Sequence, residues 1–191
     1  MVSAEALARL DRLVALVEEE NSRQNLISRA TMSAIWSRHV LDSVQLLAFA
    51  PAGWQRWIDV GSGGGFPGLA IACTVARSVR LVEPRSLRAA FLMDAARVLD
   101  LDHVTVDRHW VERLAAVGDV ISARAVASAA KVLHLTAHCA TADTIWLLPR
   151  GNVESGELAG LRAQFRAMTF HVEHSLSDPT SSIIVGQGIP T

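Results

Sequence analysis

Residues 57–68 read Trp57-Ile58-Asp59-Val60-Gly61-Ser62-Gly63-Gly64-Gly65-Phe66-Pro67-Gly68. An apolar run that ends in clustered glycines and then turns apolar again is a buried strand, a tight turn and the opening of a helix. Glycines in such a turn let a ligand come close to the backbone, because a Cβ there would block it. The spacing narrows the choice of ligand. A dinucleotide fingerprint is G-x-G-x-x-G, and its third glycine packs the helix onto the strand. Counted from Gly61, the second position is Gly63 but the third is Phe66. The loop is therefore built for a small ligand, but not on the dinucleotide pattern.

The rest of the chain sets the frame for that loop. With 191 residues, half of them hydrophobic and 19% charged, it has the size and apolar content of one domain with a large core. A net charge of −1 excludes a globally basic nucleic-acid binder, though not a local basic patch. Lys131 is the only lysine among the 18 basic residues; the rest are arginines, which suit phosphates and stacked bases. Cys73 and Cys139 lie in apolar stretches and read as buried, reduced thiols of a cytoplasmic protein. The charged N-terminus does not read as a signal peptide, and no apolar run reaches membrane-spanning length, so no membrane partner is expected. No metal-ligating set is assigned, and a monomer is the default.

Periodicity predicts an amphipathic helix over 3–20, with Leu7, Leu10, Val14 and Val17 on one stripe and Leu13 and Leu16 widening it. Helix continues over 31–50 with a break near Trp36-Ser37, and Pro51-Ala52-Gly53 ends it. Residues 1–54 thus form an N-terminal helical extension to a domain spanning 55–191. In that domain strands are predicted at 56–60, 79–83, 103–107, 118–122 and 143–149, alternating with helices at 66–77, 86–99, 127–140 and 152–167. Such alternation makes a parallel sheet with helices on both faces. The last two strands, 169–176 and 181–188, are joined by Asp178-Pro179-Thr180. That link is too short for a parallel crossover, so the pair is an antiparallel hairpin.

In doubly wound sheets ligands bind beyond the carboxyl ends of the strands. Gly61, Gly63 and Gly65 follow the first strand. Glu83 ends the second and can accept both hydroxyls of a ribose. His109, Trp110, Val111 and Glu112 follow the third, placed to flank a base. Arg124 follows the fourth, within Ser122-Ala123-Arg124-Ala125.

The glycine loop behind an Asp-Val strand end looks like the first motif of class I methyltransferases that use S-adenosyl-L-methionine (AdoMet). Four segments narrow the resemblance: Asn25-Leu26 with Arg38-His39-Val40-Leu41-Asp42-Ser43; Ile58 to Gly68; Glu83-Pro84-Arg85-Ser86-Leu87-Arg88-Ala89-Ala90-Phe91-Leu92; and Ser122-Ala123-Arg124-Ala125-Val126-Ala127-Ser128. In order and spacing they resemble the small-subunit rRNA N7-guanine methyltransferases, also called the glucose-inhibited division protein B family. The resemblance implies an α/β fold of the class I, Rossmann-like kind. Its seven-stranded, mostly parallel sheet would end in an antiparallel hairpin, with the N-terminal helical extension added. It also implies AdoMet as cofactor. Gly61 and Phe66 match its positions in the first loop, Val111 and Glu112 the pair beside the adenine, Arg124 the arginine after strand four, and Glu83 the acid after strand two. One departure stands out: where the family carries Lys-Gly after strand five, this chain has Arg150-Gly151.

The implied chemistry suits the residues. Guanine N7 is a lone-pair nucleophile with no proton to lose, so it needs positioning and not a general base. No Asn-Pro-Pro-Tyr segment follows strand four, and the chain has no tyrosine at all. N7 faces a groove that side chains cannot read in A-form RNA, so the target is an unpaired or flipped guanine. The resemblance points to guanine 527 of 16S rRNA, within the 30S subunit or an assembly intermediate. Arg124 is the candidate catalytic residue. Arg38, His39, Arg85, Arg88 and Arg150 are the candidate RNA contacts, with Arg23 and Arg29 beside them. Arg38 and Asp42 could instead pair as i,i+4 neighbours. Competing readings are a methyltransferase of another RNA or a small molecule, a nicotinamide-dependent oxidoreductase, and a non-catalytic assembly factor.

Overall fold

A computed structural model describes residues 2–191; Met1, the first residue of the expected extension, lies outside them. Its seven strands are β1 (Arg56–Val60), β2 (Ser78–Val82), β3 (Val104–Asp107), β4 (Val120–Ala123), β5 (Ile145–Arg150), β6 (Thr169–His174) and β7 (Ser182–Gln187). They form one sheet in the order β3-β2-β1-β4-β5-β7-β6. The first five run parallel, and β7 pairs antiparallel with both β5 and β6. The order reverses at β1, which pairs with β2 on one side and β4 on the other. This is the switch point beyond which doubly wound sheets bind ligands.

Alternation along β1 divides the core in two. Trp57 joins one apolar cluster and Ile58 and Val60 the other. The Trp57 face is covered by α1 (Ala4–Glu20), α4 (Gly68–Ala72) and α5 (Ser86–Val98). The Ile58 face is covered by α6 (Ala129–Thr136) and α7 (Ser155–Gln164). The N-terminal extension is thus continuous with the core of the sheet: Leu10, Leu13, Val17 and Leu46 share a cluster with Leu69, Leu81 and Leu92.

α1 starts where Ser3 Oγ accepts the Ala6 amide, a standard N-cap. Its buried stripe is Ala6, Leu10, Leu13, Val14 and Val17, while Leu7, expected inside, is 45% exposed. Centring the stripe on Leu10 and Leu13 turns Leu7 to its flank. The helix expected over 31–50 is instead a relay of short pieces: α2 (Arg29–Met32), a π-helical turn (Trp36–Leu41), α3 (Asp42–Val44) and a 3₁₀ turn (Gln45–Ala48). The helix expected over 66–77 shrinks to α4, because Phe66 and Pro67 belong to the glycine loop. Other boundaries move by a few residues at their ends. Among the described residues no helix is long and apolar enough to cross a membrane.

Candidate active site

A cleft of about 590 Å³ opens at the carboxyl ends of β1, β2 and β4, within the range of roughly 300–1,000 Å³ usual for small-ligand sites. Its floor is the loop from Gly61 to Phe66, apart from Gly65, which was expected to touch the ligand but packs against Leu69 and does not line the cleft. Gly61 takes φ +67°, and a Cβ on it would lie 2.6 Å from Val126 Cγ2. The helix-packing part that a dinucleotide loop gives to its third glycine falls here to Gly68. A Cβ on Gly68 would lie 2.3 Å from Leu81 Cδ2 and 2.8 Å from Asp59 Oδ2.

Glu83 is buried at the edge of this floor. Its Oε2 accepts the Gly63 amide at 3.0 Å and its Oε1 the Arg85 amide at 2.9 Å. Each carboxylate oxygen keeps a lone pair beyond these bonds, enough to accept two ribose hydroxyls. Beyond β3, Val111 is buried and Glu112 exposed; both line the cleft, as does Trp110, which is 65% exposed. Trp110 is therefore a rim residue and not part of the core.

Arg124 lines the cleft from the β4 side. Its Nη1 donates to the Arg38 carbonyl at 3.0 Å and its Nη2 to His39 Nδ1 at 2.6 Å. The guanidinium also lies 5.8 Å from the centroid of the Phe66 ring. Burial lowers its pKa, partly offset by Asp42 and Asp59. No carboxylate forms an ion pair with it among the described residues, so its charge remains available to a ligand. With two N–H groups used, three are left to donate.

Beneath the loop, Asp59 is fully buried. Its Oδ1 accepts the Ser122 hydroxyl at 2.6 Å, its Oδ2 accepts the Gly68 amide at 3.2 Å, and Ser122 Oγ accepts Trp57 Nε1–H at 2.8 Å. Burial pushes the Asp59 carboxyl up to about 6, against the pull of these bonds and of Arg124. Asp59 thus braces the start of α4 and the end of β4, two sides of the cleft. It was legible only as a strand end, although its period-2 register with buried Trp57 marks it as inward-facing.

The N-terminal extension supplies a wall. Asn21 Oδ1 accepts the amides of Leu26 and Ile27 at 2.8 and 2.9 Å. That turns Leu26, Ile27, Ser28 and Thr31 into the cleft. Leu26 lies so close to the floor that a Cβ on Gly64 would meet its Cβ at 3.1 Å. Asn21, Ile27 and Thr31 had no part in the expected site, and Leu26 entered only with Asn25 among the segments of the resemblance; a capping Asn before an apolar pair was the other sequence signal.

The expected RNA contacts separate. Arg85 and Arg88 line the cleft, and Arg88 also donates to the Asn25 carbonyl. Arg29 is exposed, and Arg23 is paired with Glu19 and Glu20. Arg38 pairs with Asp178 of the β6–β7 turn and not with Asp42. Asp42 instead accepts from Gln45, Ser175 and Ser177, because the turn folds back over α3. His39 also lines the cleft but is largely buried, with both ring nitrogens engaged inside the protein. Arg150 does not line the cleft. Its Nη1 donates to the Ala127 carbonyl at 2.7 Å, and its Nε and Nη2 are sealed from solvent without a partner. The β5 strand points it under the loop after β4.

A family model described as rRNA small subunit methyltransferase G matches residues 6–181 of this chain. The ribosomal RNA small subunit methyltransferase G of Novosphingobium aromaticivorans is 45% identical over 186 residues, which cover 95% of this chain and 80% of that protein. Among solved structures, a putative O-methyltransferase from Klebsiella pneumoniae superposes with a TM-score of 0.66 at 12% identity, over 95% of this chain and 90% of its own. A SAM dependent methyltransferase from Aquifex aeolicus does so at 0.64 and 14%, over 82% and 93%. At such low identities these two likenesses establish a shared fold, the class I methyltransferase layout.

Proposed function

This chain belongs to the rRNA small subunit methyltransferase G family, and on that premise we propose that its cleft holds AdoMet and directs methylation of N7 of guanine 527 in 16S rRNA. The residues fit the cofactor: a floor whose positive φ at Gly61 and Gly63 favours glycine and leaves the backbone open to a ligand, and a carboxylate with lone pairs to spare for ribose hydroxyls. When bound, AdoMet supplies an electrophilic methyl group. Gly61, Gly63 and Phe66 form its seat, Glu83 accepts its ribose, and Val111 and Glu112 flank its adenine. Arg124 stands across β2 and β1 from the adenine end, about 14 Å away at usual strand spacing.

The observation that carries the reading is that His39, the titratable side chain in hydrogen-bond contact with Arg124, has both ring nitrogens engaged inside the protein. Such a site cannot readily remove a proton, and N7 methylation requires no removal: the attacking atom is a lone pair. Positioning is then the main task. Arg124 has donors left for guanine O6, which neighbours N7, and that contact orients the base while leaving N7 free to attack. Arg85 and Arg88 add positive charge at the rim for the RNA backbone. With a net charge of −1, the protein has little general attraction for naked RNA; the preferred substrate is the 30S subunit or an assembly intermediate, met by a monomer.

The test is transfer of tritiated methyl from AdoMet to RNA from cells lacking this gene, offered as 30S subunits and as protein-free 16S rRNA. Label in 16S rRNA, greater from the particles, is expected. No label from either substrate, with AdoMet bound, would overturn the proposal.

A further inference from the structure

Arg124 is held in an unusual way. A cation at the edge of a core is commonly fixed by a carboxylate, which also offsets its charge. Here the two groups that hold it are neutral: the Arg38 carbonyl and the His39 ring, neighbours in sequence on the π-helical turn. A guanidinium has no acceptor, so the 2.6 Å contact requires the lone pair of Nδ1. The ring proton must then sit on Nε2, where it donates to Thr31 Oγ1 at 2.8 Å. Thr31 in turn donates to the Ser28 carbonyl at 3.0 Å. The Arg124 contact fixes the tautomer, and the Thr31 hydroxyl is placed to accept from it. Burial, Arg124 and Arg38 all oppose a second proton and bring the His39 pKa down to about 4. The Phe66 ring, 5.2 Å from the imidazole, closes the group from the glycine loop.

We propose that His39 is a positioning residue that acts through Arg124: an imidazole serving only as acceptor on its Nδ1 side, which aims the guanidinium into the cleft without neutralising it. The inference rests on the role given to Arg124 above. It replaces the reading of His39 as an RNA contact. It also explains why a histidine suits this place. An acid would fix the arginine equally well but would offset the charge that draws the substrate. A serine is too short, and a lysine would repel. The π-helical turn contributes by presenting a main-chain acceptor and a side-chain acceptor from adjacent residues to one planar fork.

The experiment compares His39→Leu, His39→Asn, Arg124→Ala and the double variant His39→Leu/Arg124→Ala in single-turnover methyl transfer to 30S subunits. AdoMet affinity and melting temperature are followed in parallel. Asn places an acceptor oxygen near the Nδ1 position, whereas Leu fills the space without one. The expected result is a loss of about tenfold or more in His39→Leu with AdoMet affinity unchanged, most of the rate restored in His39→Asn, and a double variant no slower than Arg124→Ala. A wild-type rate in His39→Leu, or losses that multiply in the double variant, would overturn the proposal. Should His39→Leu fail to fold, His39→Asn decides alone: a rate as low as that of Arg124→Ala refutes it. A wild-type rate in Arg124→Ala would instead refute the role of Arg124, which separates the two failures.

Discussion

Ser122 donates its hydroxyl to Asp59 at 2.6 Å inside a core that water does not reach. The bond joins β4 to β1 under the glycine loop, and it ties the stability of the site to pH. Asp59 has a folded pKa raised from 3.8 to about 6, so its contribution is full below 3.8 and is lost as pH rises through 6. His39 has a folded pKa lowered from 6.5 to about 4, so its contribution is full above 6.5 and is lost as pH falls through 4. Between about 4 and 6 the two oppose each other. Asp59→Asn removes one side of that balance. Its melting temperature should fall more steeply than the wild type's as pH goes from 6.5 to 4. Parallel curves for the two proteins would show that Asp59 does not titrate in this window.

Gly61 of the loop and Gly68 at the start of α4 should respond differently to alanine. A methyl on Gly68 would strike Leu81 and Asp59, both fully buried, and neither can move aside. Gly68→Ala should cost about 1–3 kcal/mol by overpacking, read from urea titration. A methyl on Gly61 would strike the tip of Val126, an exposed side chain that can rotate away. Gly61→Ala should therefore lose less stability, its cost coming chiefly from the positive φ, while losing AdoMet affinity in a calorimetric titration. Equal stability losses would contradict this division.

Arg124→Lys should not rescue activity. An ammonium cannot reach the Arg38 carbonyl, His39 and a base together in the geometry of a planar fork. Loss of one positioned donor from a site of this kind typically costs about 10²-fold or more in turnover. The fold should survive, because no ion pair is lost. A circular dichroism melt beside the methyl-transfer assay separates the two effects, and near-normal turnover in the lysine variant would remove the fork from the account.

Trp110 should report cofactor binding. Trp54, Trp57 and Trp146 are buried, and of the two exposed tryptophans only Trp110 lines the cleft. Addition of AdoMet should change the intrinsic fluorescence of the wild type and leave that of Trp110→Phe almost unchanged. A persistent signal in the variant would place the adenine elsewhere.

The sheet was legible because its strands are apolar runs cut by Gly and Pro, and because Asp178-Pro179-Thr180 leaves no room for a crossover. That Gly61, Gly63, Phe66, Glu83 and the Val111-Glu112 pair come together at one cleft was legible because ligands gather where parallel strands end, whereas Gly65 turned away to Leu69. The failures share one cause: sequence does not show where a long side chain points. Arg150 looked like an RNA contact and instead reaches under the Ala127 carbonyl. Arg38 turned to Asp178, 140 residues away, over a neighbour one turn along. His39, a candidate RNA contact, lines the cleft but gives both ring nitrogens to Arg124 and Thr31. The relay of short helices from Arg29 to Ala48 was legible only as a single break near Trp36-Ser37, for a related reason. Its breaks follow the contacts it makes with the β6–β7 turn and the cleft, not local propensity.

On the proposed function the cleft methylates one nitrogen of one base. The most direct test is to methylate 30S subunits from cells lacking the gene, then cleave the RNA chemically at N7-methylguanosine and map the breaks by primer extension. A single enzyme-dependent break at guanine 527 is the predicted result. Methyl label in the RNA without any such break would contradict the assignment of N7, and a break at a different guanine would contradict the assignment of the site.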